Sequence, residues 1–133
     1  MGLFIMKNEL GLFERKNNIY VSSRILANNF DKDHWDIIYA LEGRTSKRGD
    51  GSTGVKNNSL IEGLQQLGIS QVEKYFVRST YRGDNGQEYP EYLCSRDGFA
   101  LLAMGLTGSK ALKFKLAYIN AFNTMEAILM EGQ

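Results

Sequence analysis

Side chains suited to acid–base or nucleophilic chemistry are scarce in this sequence. His34 is the sole histidine and Cys94 the sole cysteine among 133 residues. Nothing in the sequence places either of them beside the partner that a general base or an activated nucleophile requires. A single thiol cannot form an intramolecular disulfide, and no Cys/His spacing typical of a structural metal is present. The sequence therefore predicts a protein that is not an enzyme and that holds no metal or cofactor.

Phosphate binding is the second chemistry to consider, because residues 105–110 read Gly-Leu-Thr-Gly-Ser-Lys. This segment lacks the four-residue gap and the Gly-Lys-Ser/Thr ending of a nucleotide-binding loop. An apolar helix, instead of the strand that such a loop needs, is predicted before it. We therefore interpret the segment as the start of a helix.

Basic residues remain as candidate ligands for nucleic acid phosphates. Sixteen Lys and Arg against fifteen Asp and Glu give a net charge of only +1, so any attraction to DNA must come from a local patch. The most basic stretch is 44–58, which carries a net +3. Its Gly, Ser, Thr and Asn content predicts a flexible loop. This loop is either an arm that becomes ordered when it binds phosphates or a solvent-exposed connection without a binding role.

Two short helices are predicted before this loop. A cap at Ser22 or Ser23 opens a helix over 24–30, a turn follows at 31–33, and a second helix runs over 34–42 and stops at Gly43. A strand pair is predicted before them, over 10–21. The helix spacing is typical of a helix-turn-helix, although proteins that never touch DNA also contain such pairs.

A second hairpin is predicted after the loop. Residues 59–62 read as a capping box that opens a helix ending at Gly68. Strands over 75–82 and 87–94 flank the turn formers Asn85-Gly86, and Pro90 predicts that the second strand lies at a sheet edge. Arg78 and Arg82 share one side of this hairpin, which is either a DNA-contacting wing or simply a solvent face.

Two helices are predicted at the C-terminal end. Asp97 caps a helix over 98–104 that has no polar face and must be buried, and a helix of some twenty residues follows from about Lys110 to Met130. The long helix carries two apolar stripes, whereas one core needs only one. We therefore predict a symmetric dimer through Leu112, Leu116, Ile119, Phe122 and Asn123.

Many positions between 21 and 130 follow one recognisable pattern. It runs through Val21-Ser22-Ser23-Arg24, Phe30, Phe76, Tyr81, Tyr89-Pro90, Arg96-Asp97-Gly98-Phe99, Thr107-Gly108, Phe114-Lys115 and Ala121-Phe122-Asn123. This pattern resembles the phage regulatory proteins of the Rha family. The resemblance implies a phage-encoded regulator that acts in the host cytoplasm through DNA binding.

Together these observations predict one Rha-like α+β domain over 1–133. It comprises an N-terminal hairpin and a winged-helix-like helix-turn-helix over 1–43, a flexible basic loop over 44–58, and a helix, hairpin, buried helix and long C-terminal helix over 59–133. The expected DNA-contacting residues are Ser23, Arg24, Lys32, His34, Trp35, Tyr39, Arg44, Lys47, Arg48, Lys56, Arg78 and Arg82.

A second hypothesis follows from the charge of the predicted helix pair. Residues 22–42 contain two basic and four acidic side chains, a net charge of −2, which is unfavourable beside phosphates. Either the acidic side chains point away from DNA while His34, Tyr39 and the basic loop make the contacts, or the chain binds a protein instead. In the second case it is an antirepressor or host-directed effector that binds a repressor or host protein, with Trp35 and Tyr39 as aromatic anchors. Under both hypotheses a cytoplasmic protein is expected, because the longest apolar run, 99–106, is far too short to span a membrane.

Overall fold

The computed structural model describes residues 10–47, 53–56 and 59–131, and for 44–47 and 53–56 it describes the backbone alone. The predicted α+β class is confirmed. Antiparallel strands form a four-stranded sheet and a separate two-stranded sheet, and helices alternate with them along the chain. None of the described helices combines the length and apolarity that a membrane crossing requires.

The first hairpin joins β1 (Phe13–Arg15) to β2 (Asn18–Ser22). Lys16 and Asn17 form the turn with φ angles of 50° and 66°. Positive φ at both central turn residues matches the right-handed twist of the flanking strands, which is why such turns are favoured in two-residue hairpins. The strand pair predicted over 10–21 is thus confirmed, although it begins at Phe13 and ends at Ser22.

Two helices follow directly, α1 (Ser23–Asn29) and α2 (His34–Glu42). Ser22 caps α1 by accepting from the Arg24 amide at 3.1 Å, and Asp33 caps α2 by accepting from the Trp35 amide at 2.9 Å. Between them Asp31 adopts a φ of 56°, a left-handed conformation that Asp tolerates better than most residues. The predicted bounds of the second helix are confirmed, and the first helix begins and ends one residue earlier than predicted.

The prediction of a loop without regular structure over 44–58 is wrong for eight of those residues. Here β3 (Arg44–Lys47) pairs antiparallel with β4 (Thr53–Lys56), so that Arg44 lies opposite Lys56 in the register. Strands of four residues are too short for alternation to be visible in the sequence, and the glycines that suggested a loop fall mostly between them. Arg48 and the rest of 48–52 lie outside the described residues.

The second half of the chain opens with α3 (Leu60–Gln66), capped as predicted by Ser59, which accepts from the Glu62 amide at 3.0 Å. A short 3-10 turn over Val72–Lys74 leads into β5 (Phe76–Arg82), which pairs along its full length with β6 (Glu88–Cys94). The turn between these strands includes Gly86 at a φ of 81°. The hairpin predicted from Asn85-Gly86 is confirmed.

The prediction that β6 is an edge strand is wrong, because the strand order is β1-β2-β6-β5. Pro90 is tolerated there for a local reason. The Tyr92 amide points away from β5 and donates to Ser23, so the Pro90 nitrogen two residues earlier points the same way. Pairing with β2 involves only Leu93 and Cys94, so no ladder bond is lost at Pro90.

Two C-terminal helices complete the fold, α4 (Arg96–Ala103) and α5 (Ser109–Glu131). Ser95, not the predicted Asp97, caps α4 by accepting from the Gly98 amide at 3.2 Å. Gly98 itself is required for close packing, since a Cβ there would lie 2.0 Å from the Tyr75 carbonyl oxygen. The predicted burial of the whole apolar segment is wrong, because Met104 remains 77% exposed.

Aromatic rings form the centre of the core. Tyr118 of α5 stacks on Phe30 at 6.1 Å and packs against Phe99 at 5.0 Å. Its hydroxyl donates to the Leu10 carbonyl and accepts from Asn29, both at 2.8 Å, which ties α5 to the end of α1. Phe122 is fully buried beside Phe99, so its predicted place in a dimer interface is wrong.

Candidate nucleic-acid interface

The exposed side of α2 is set by its buried side. Ile37, Ile38 and Leu41 enter the core, so the helical period directs Trp35 and Tyr39 outward, where they are 45% and 36% exposed. Their rings stack on each other with centroids 5.9 Å apart. The predicted contact residues Trp35 and Tyr39 therefore form one aromatic pair on the protein surface.

A second aromatic group lies where α1, α2 and the β5–β6 hairpin meet. The Arg24 guanidinium carbon stands 3.7 Å from the ring centroid of Tyr81, which also packs at 6.1 Å from His34 and at 5.7 Å from Tyr89. We call Arg24, His34, Tyr81 and Tyr89 the arginine–tyrosine cluster. The structure thus unites Arg24 and His34, while the role of Tyr81 was not predicted, because its partners Arg24 and His34 lie on other elements, far from it along the chain.

Ser23 occupies the junction beneath this cluster. It is fully buried, its Oγ accepts from the Tyr92 amide at 3.0 Å, and His34 Nε2 lies 2.8 Å away. Ser23 therefore cannot meet DNA as predicted, because these contacts join β6, α1 and α2 inside the protein. Since Oγ already accepts from Tyr92, its single hydrogen is available to His34 Nε2, an arrangement that needs a neutral imidazole.

Electrostatics favour that neutral imidazole. Burial, and then the neighbouring positive charge of Arg24, lower the pKa of His34 below its ordinary 6.5. The side chain is only partly buried, so it stays close to solvent while its Nε2 faces the junction. His34 is consequently a positioning residue for the start of α2, whatever else it contacts.

Two acidic residues of the helix pair are held by bases from other elements. Asp31 forms an ion pair with Lys110 at the start of α5. Glu42 accepts from Arg78 Nε at 3.1 Å and from the Tyr92 hydroxyl at 2.6 Å. Burial, followed by this contact with Glu42, raises the pKa of Tyr92, so the phenol remains a donor. Arg78, predicted as a wing contact, is thus engaged with α2.

The remaining predicted contacts spread along the same region. Lys32 is exposed in the turn before α2 and borders an open groove with Asp36 and Ala40, and Arg82 is exposed at the end of β5. Arg44, Lys47 and Lys56 lie on β3 and β4, which follow α2 after Gly43. Over the described ranges, no cluster of His, Cys, Asp and Glu is suited to a metal ion. The thiol of Cys94 is buried, which raises its pKa to about 12.

Comparison with known proteins gives related sequences of phage and bacterial origin. A protein of Haemophilus influenzae is 30% identical over 88% of this chain and 58% of its own length. The SPbeta prophage-derived putative antirepressor protein YoqD of Bacillus subtilis is 24% identical over 93% of the chain and 43% of its own length. A 22.8 kDa protein encoded between gp15 and gp3 of Salmonella phage P22 is 34% identical over 78% of the chain and 43% of its own length.

The chain spans about half the length of the curated relatives it matches. No solved structure matches it. Residues 21–127, which include both helices of the pair, the β5–β6 hairpin and most of α5, match the family model of phage regulatory protein Rha. This match covers most of the chain, and the resemblance predicted from the sequence is confirmed: the chain belongs to the Rha family of phage regulatory proteins.

Proposed function

We propose that this Rha-family chain regulates phage genes by binding DNA in the cytoplasm of the bacterial host. In this proposal α1 and α2 act as a helix-turn-helix, α2 faces the groove, and the β3–β4 and β5–β6 hairpins contact the backbone. The observation that carries the proposal is the pairing of Asp31 with Lys110 and of Glu42 with Arg78. That pairing reduces the net negative charge of the helix pair, which is the main electrostatic objection to DNA binding.

The charge of the region supports this reasoning. Residues 22–42 alone carry a net charge of −2, and the two bases that pair with them bring the local sum to zero. Residues 34–58 contain four basic and three acidic side chains, a net charge of +1. This span includes α2 itself, so a phosphate that approaches α2 and β3–β4 meets a net positive charge.

Roles can be assigned from position and exposure. Arg24, Lys32 and Arg82 are exposed bases suited to phosphate contacts. Arg44, Lys47 and Lys56 belong to β3 and β4 and Arg48 follows Lys47 in the sequence, so we assign them the same role. Trp35 and Tyr39 project from the exposed face of α2, where flat rings can contact sugars and base edges. His34 supports the start of α2 and lies beside Arg24.

A salt titration tests the proposal. The wild-type chain and the variant Arg44→Ala/Lys47→Ala/Arg48→Ala are titrated with a fluorescent pool of random-sequence duplexes between roughly 50 and 200 mM salt. The variant is expected to bind more weakly, and its slope of log K against log salt falls by about 0.9 for each phosphate contact removed. The control Arg15→Ala/Lys74→Ala/Lys113→Ala removes the same charge from exposed sites elsewhere. Equal affinities and slopes for wild type and the first variant would contradict the proposal that the basic residues of the β3–β4 segment contact DNA.

A second candidate is an antirepressor that binds a protein, and one specific observation favours it. The stacked Trp35–Tyr39 pair has the exposed acidic residues Asp33 and Asp36 close to it in the sequence. Aromatic anchors beside negative charge suit a basic patch on a partner protein. The Bacillus subtilis relative is itself named as an antirepressor.

This candidate has its own test. Trp35→Ala/Tyr39→Ala is compared with wild type for binding, by calorimetry, to the purified repressor encoded in the same phage genome. An antirepressor loses affinity for the repressor in this variant and shows little DNA binding at any salt concentration. Repressor binding that does not depend on the two rings would remove this candidate surface.

A further inference from the structure

We propose that the exposed stripe of α5 binds a second copy of this chain, with the two α5 helices antiparallel about a twofold axis. The inference goes beyond the proposed function, because a regulator of either kind can act as a monomer. The proposed interface keeps Leu112, Leu116, Ile119 and Asn123 from the sequence prediction. It omits Phe122, which is buried, and includes Met130, which is exposed. It also specifies the relative direction of the two helices.

The stripe has the geometry of a helix-pairing seam. At 100° per residue, Leu112, Leu116, Ile119, Asn123 and Met130 fall within an arc of about 60°, well away from Tyr118 and Phe122 on the core side. Leu112, Leu116 and Ile119 are 58%, 54% and 47% exposed, and Met130 is also exposed. The first four residues are spaced by four, three and four, as in a two-helix seam. The stripe is about 27 Å long, enough for several layers of contact.

The charge distribution along α5 indicates that its partner is a second α5 helix and that the two helices are antiparallel. The lysines Lys110, Lys113 and Lys115 all lie in its first seven residues, whereas Glu126 and Glu131 lie in its last six. Two parallel copies would set like charges beside each other. Two antiparallel copies set the lysine end of each helix against the glutamate end of the other, so the helix is complementary to itself only in this orientation.

One flanking pair makes the orientation specific. On a helical wheel Lys115 and Glu126 lie on the same flank of the stripe, within about 20° of each other. Residues on the same flank meet across an antiparallel pair, so Lys115 lies near the partner's Glu126, and the twofold axis produces this contact twice. Glu126 is already held at 3.2 Å by Arg96, which also donates to Asn123 at 3.2 Å. The polar end of the stripe is therefore ordered before the second copy arrives.

The surface beside the stripe is shaped to receive side chains. An open groove of about 210 Å³ lies between α4 and α5, and its wall includes Phe99, Ala103, Met104, Lys115 and Ile119. Met104 stands 77% exposed at its rim. A Leu or Met from the stripe of a second copy fits the apolar character of this groove, and filling it covers Met104.

The first test uses two isoleucines of the same helix as a matched pair. Ile119 and Ile128 are each 47% exposed, but Ile128 faces about 150° away from the centre of the stripe. Light scattering is expected to give the mass of a dimer for wild type and for Ile128→Glu at tens of micromolar, and a monomer for Ile119→Glu. The dissociation constant for Ile119→Glu should rise by about 30-fold or more, as for an interface hot spot. Circular dichroism checks that both variants are folded.

The second test addresses direction by exchanging charges. In an Arg96→Ala background, which removes the intrachain partner of Glu126, Lys115→Glu and Glu126→Lys should each weaken the dimer. The double variant Lys115→Glu/Glu126→Lys in the same background should restore it, because the exchanged charges again meet across the antiparallel pair. Failure of the double variant to recover the dimer would overturn the antiparallel arrangement. A wild-type monomer, or equal effects at Ile119 and Ile128, would overturn the proposal as a whole. Neither outcome bears on the effect of Arg44, Lys47 and Arg48 on DNA affinity, so this proposal and the proposed function fail separately.

Discussion

The two exposed helix faces of this protein, on α2 and on α5, are built from different side chains and are held in place differently. The α2 face has two stacked aromatic rings among charges, and it rests on a polar junction of Ser23, His34 and Tyr92. The α5 face is an aliphatic stripe, and it rests on the aromatic core around Tyr118 and Phe122. This difference suggests recognition of a foreign molecule at α2 and self-association at α5.

The largest effect on the free energy of unfolding is expected from a substitution on the core side of α5, compared with one on its exposed side. Phe122→Ala removes a fully buried ring beside Phe99 and is expected to lower the free energy of unfolding by about 3–5 kcal/mol. Leu112→Ala, on the exposed stripe, should change the unfolding free energy of the monomer by less than about 0.5 kcal/mol. Urea unfolding at concentrations below the dimer dissociation constant measures both. Equal losses would show that the stripe belongs to the core of a single chain.

Prediction from the sequence succeeded where local chemistry decides. The bounds of α2 follow from Asp33 as the cap and Gly43 as the stop, and the β5–β6 hairpin follows from Asn85-Gly86. These signals act over a few residues, so no knowledge of the tertiary structure is needed to read them.

Prediction failed where distant residues decide. Ser23 has the sequence environment of a capping residue, but its burial depends on β6, which is 69 residues away at Tyr92. The pairing of Asp31 with Lys110 spans 79 residues. The net charge counted over residues 22–42 alone therefore omitted a base that lies beside the helix pair in the fold. Phe122 and Asn123 are adjacent on one helix, and only the position of α4 shows which of them faces the core.

A smaller effect is expected at the polar junction under α2. Ser23→Ala leaves the buried Tyr92 amide without its acceptor and removes the contact with His34, which should cost about 1–3 kcal/mol of unfolding free energy. Ser70→Ala, at an exposed serine, serves as the control and should have almost no effect. If the two substitutions are equivalent in thermal and urea unfolding, the junction does not hold α2.

The smallest effect is a pH dependence that belongs to α2 and not to α5. Because the folded protein lowers the pKa of His34 below 6.5, the unfolded chain binds more protons just below that pH. The contribution of neutral His34 to the free energy of unfolding is therefore full above pH 6.5. It is lost as the pH falls through the folded-state pKa of His34. His34→Gln should flatten this part of the curve of unfolding free energy against pH. A curve unchanged by the substitution would assign the pH dependence to other groups.

The assignment of DNA recognition to α2 and β3–β4 is tested most directly by mapping the interface on the labelled protein. Duplexes enriched by repeated selection from the random pool are titrated into the protein, and backbone amide chemical shifts are followed by NMR. We predict that the perturbed amides cluster in residues 32–42 and in β3–β4, while the exposed stripe of α5 stays unchanged. Perturbations confined to α5, or failure of selection to enrich any sequence, would contradict DNA recognition by this protein.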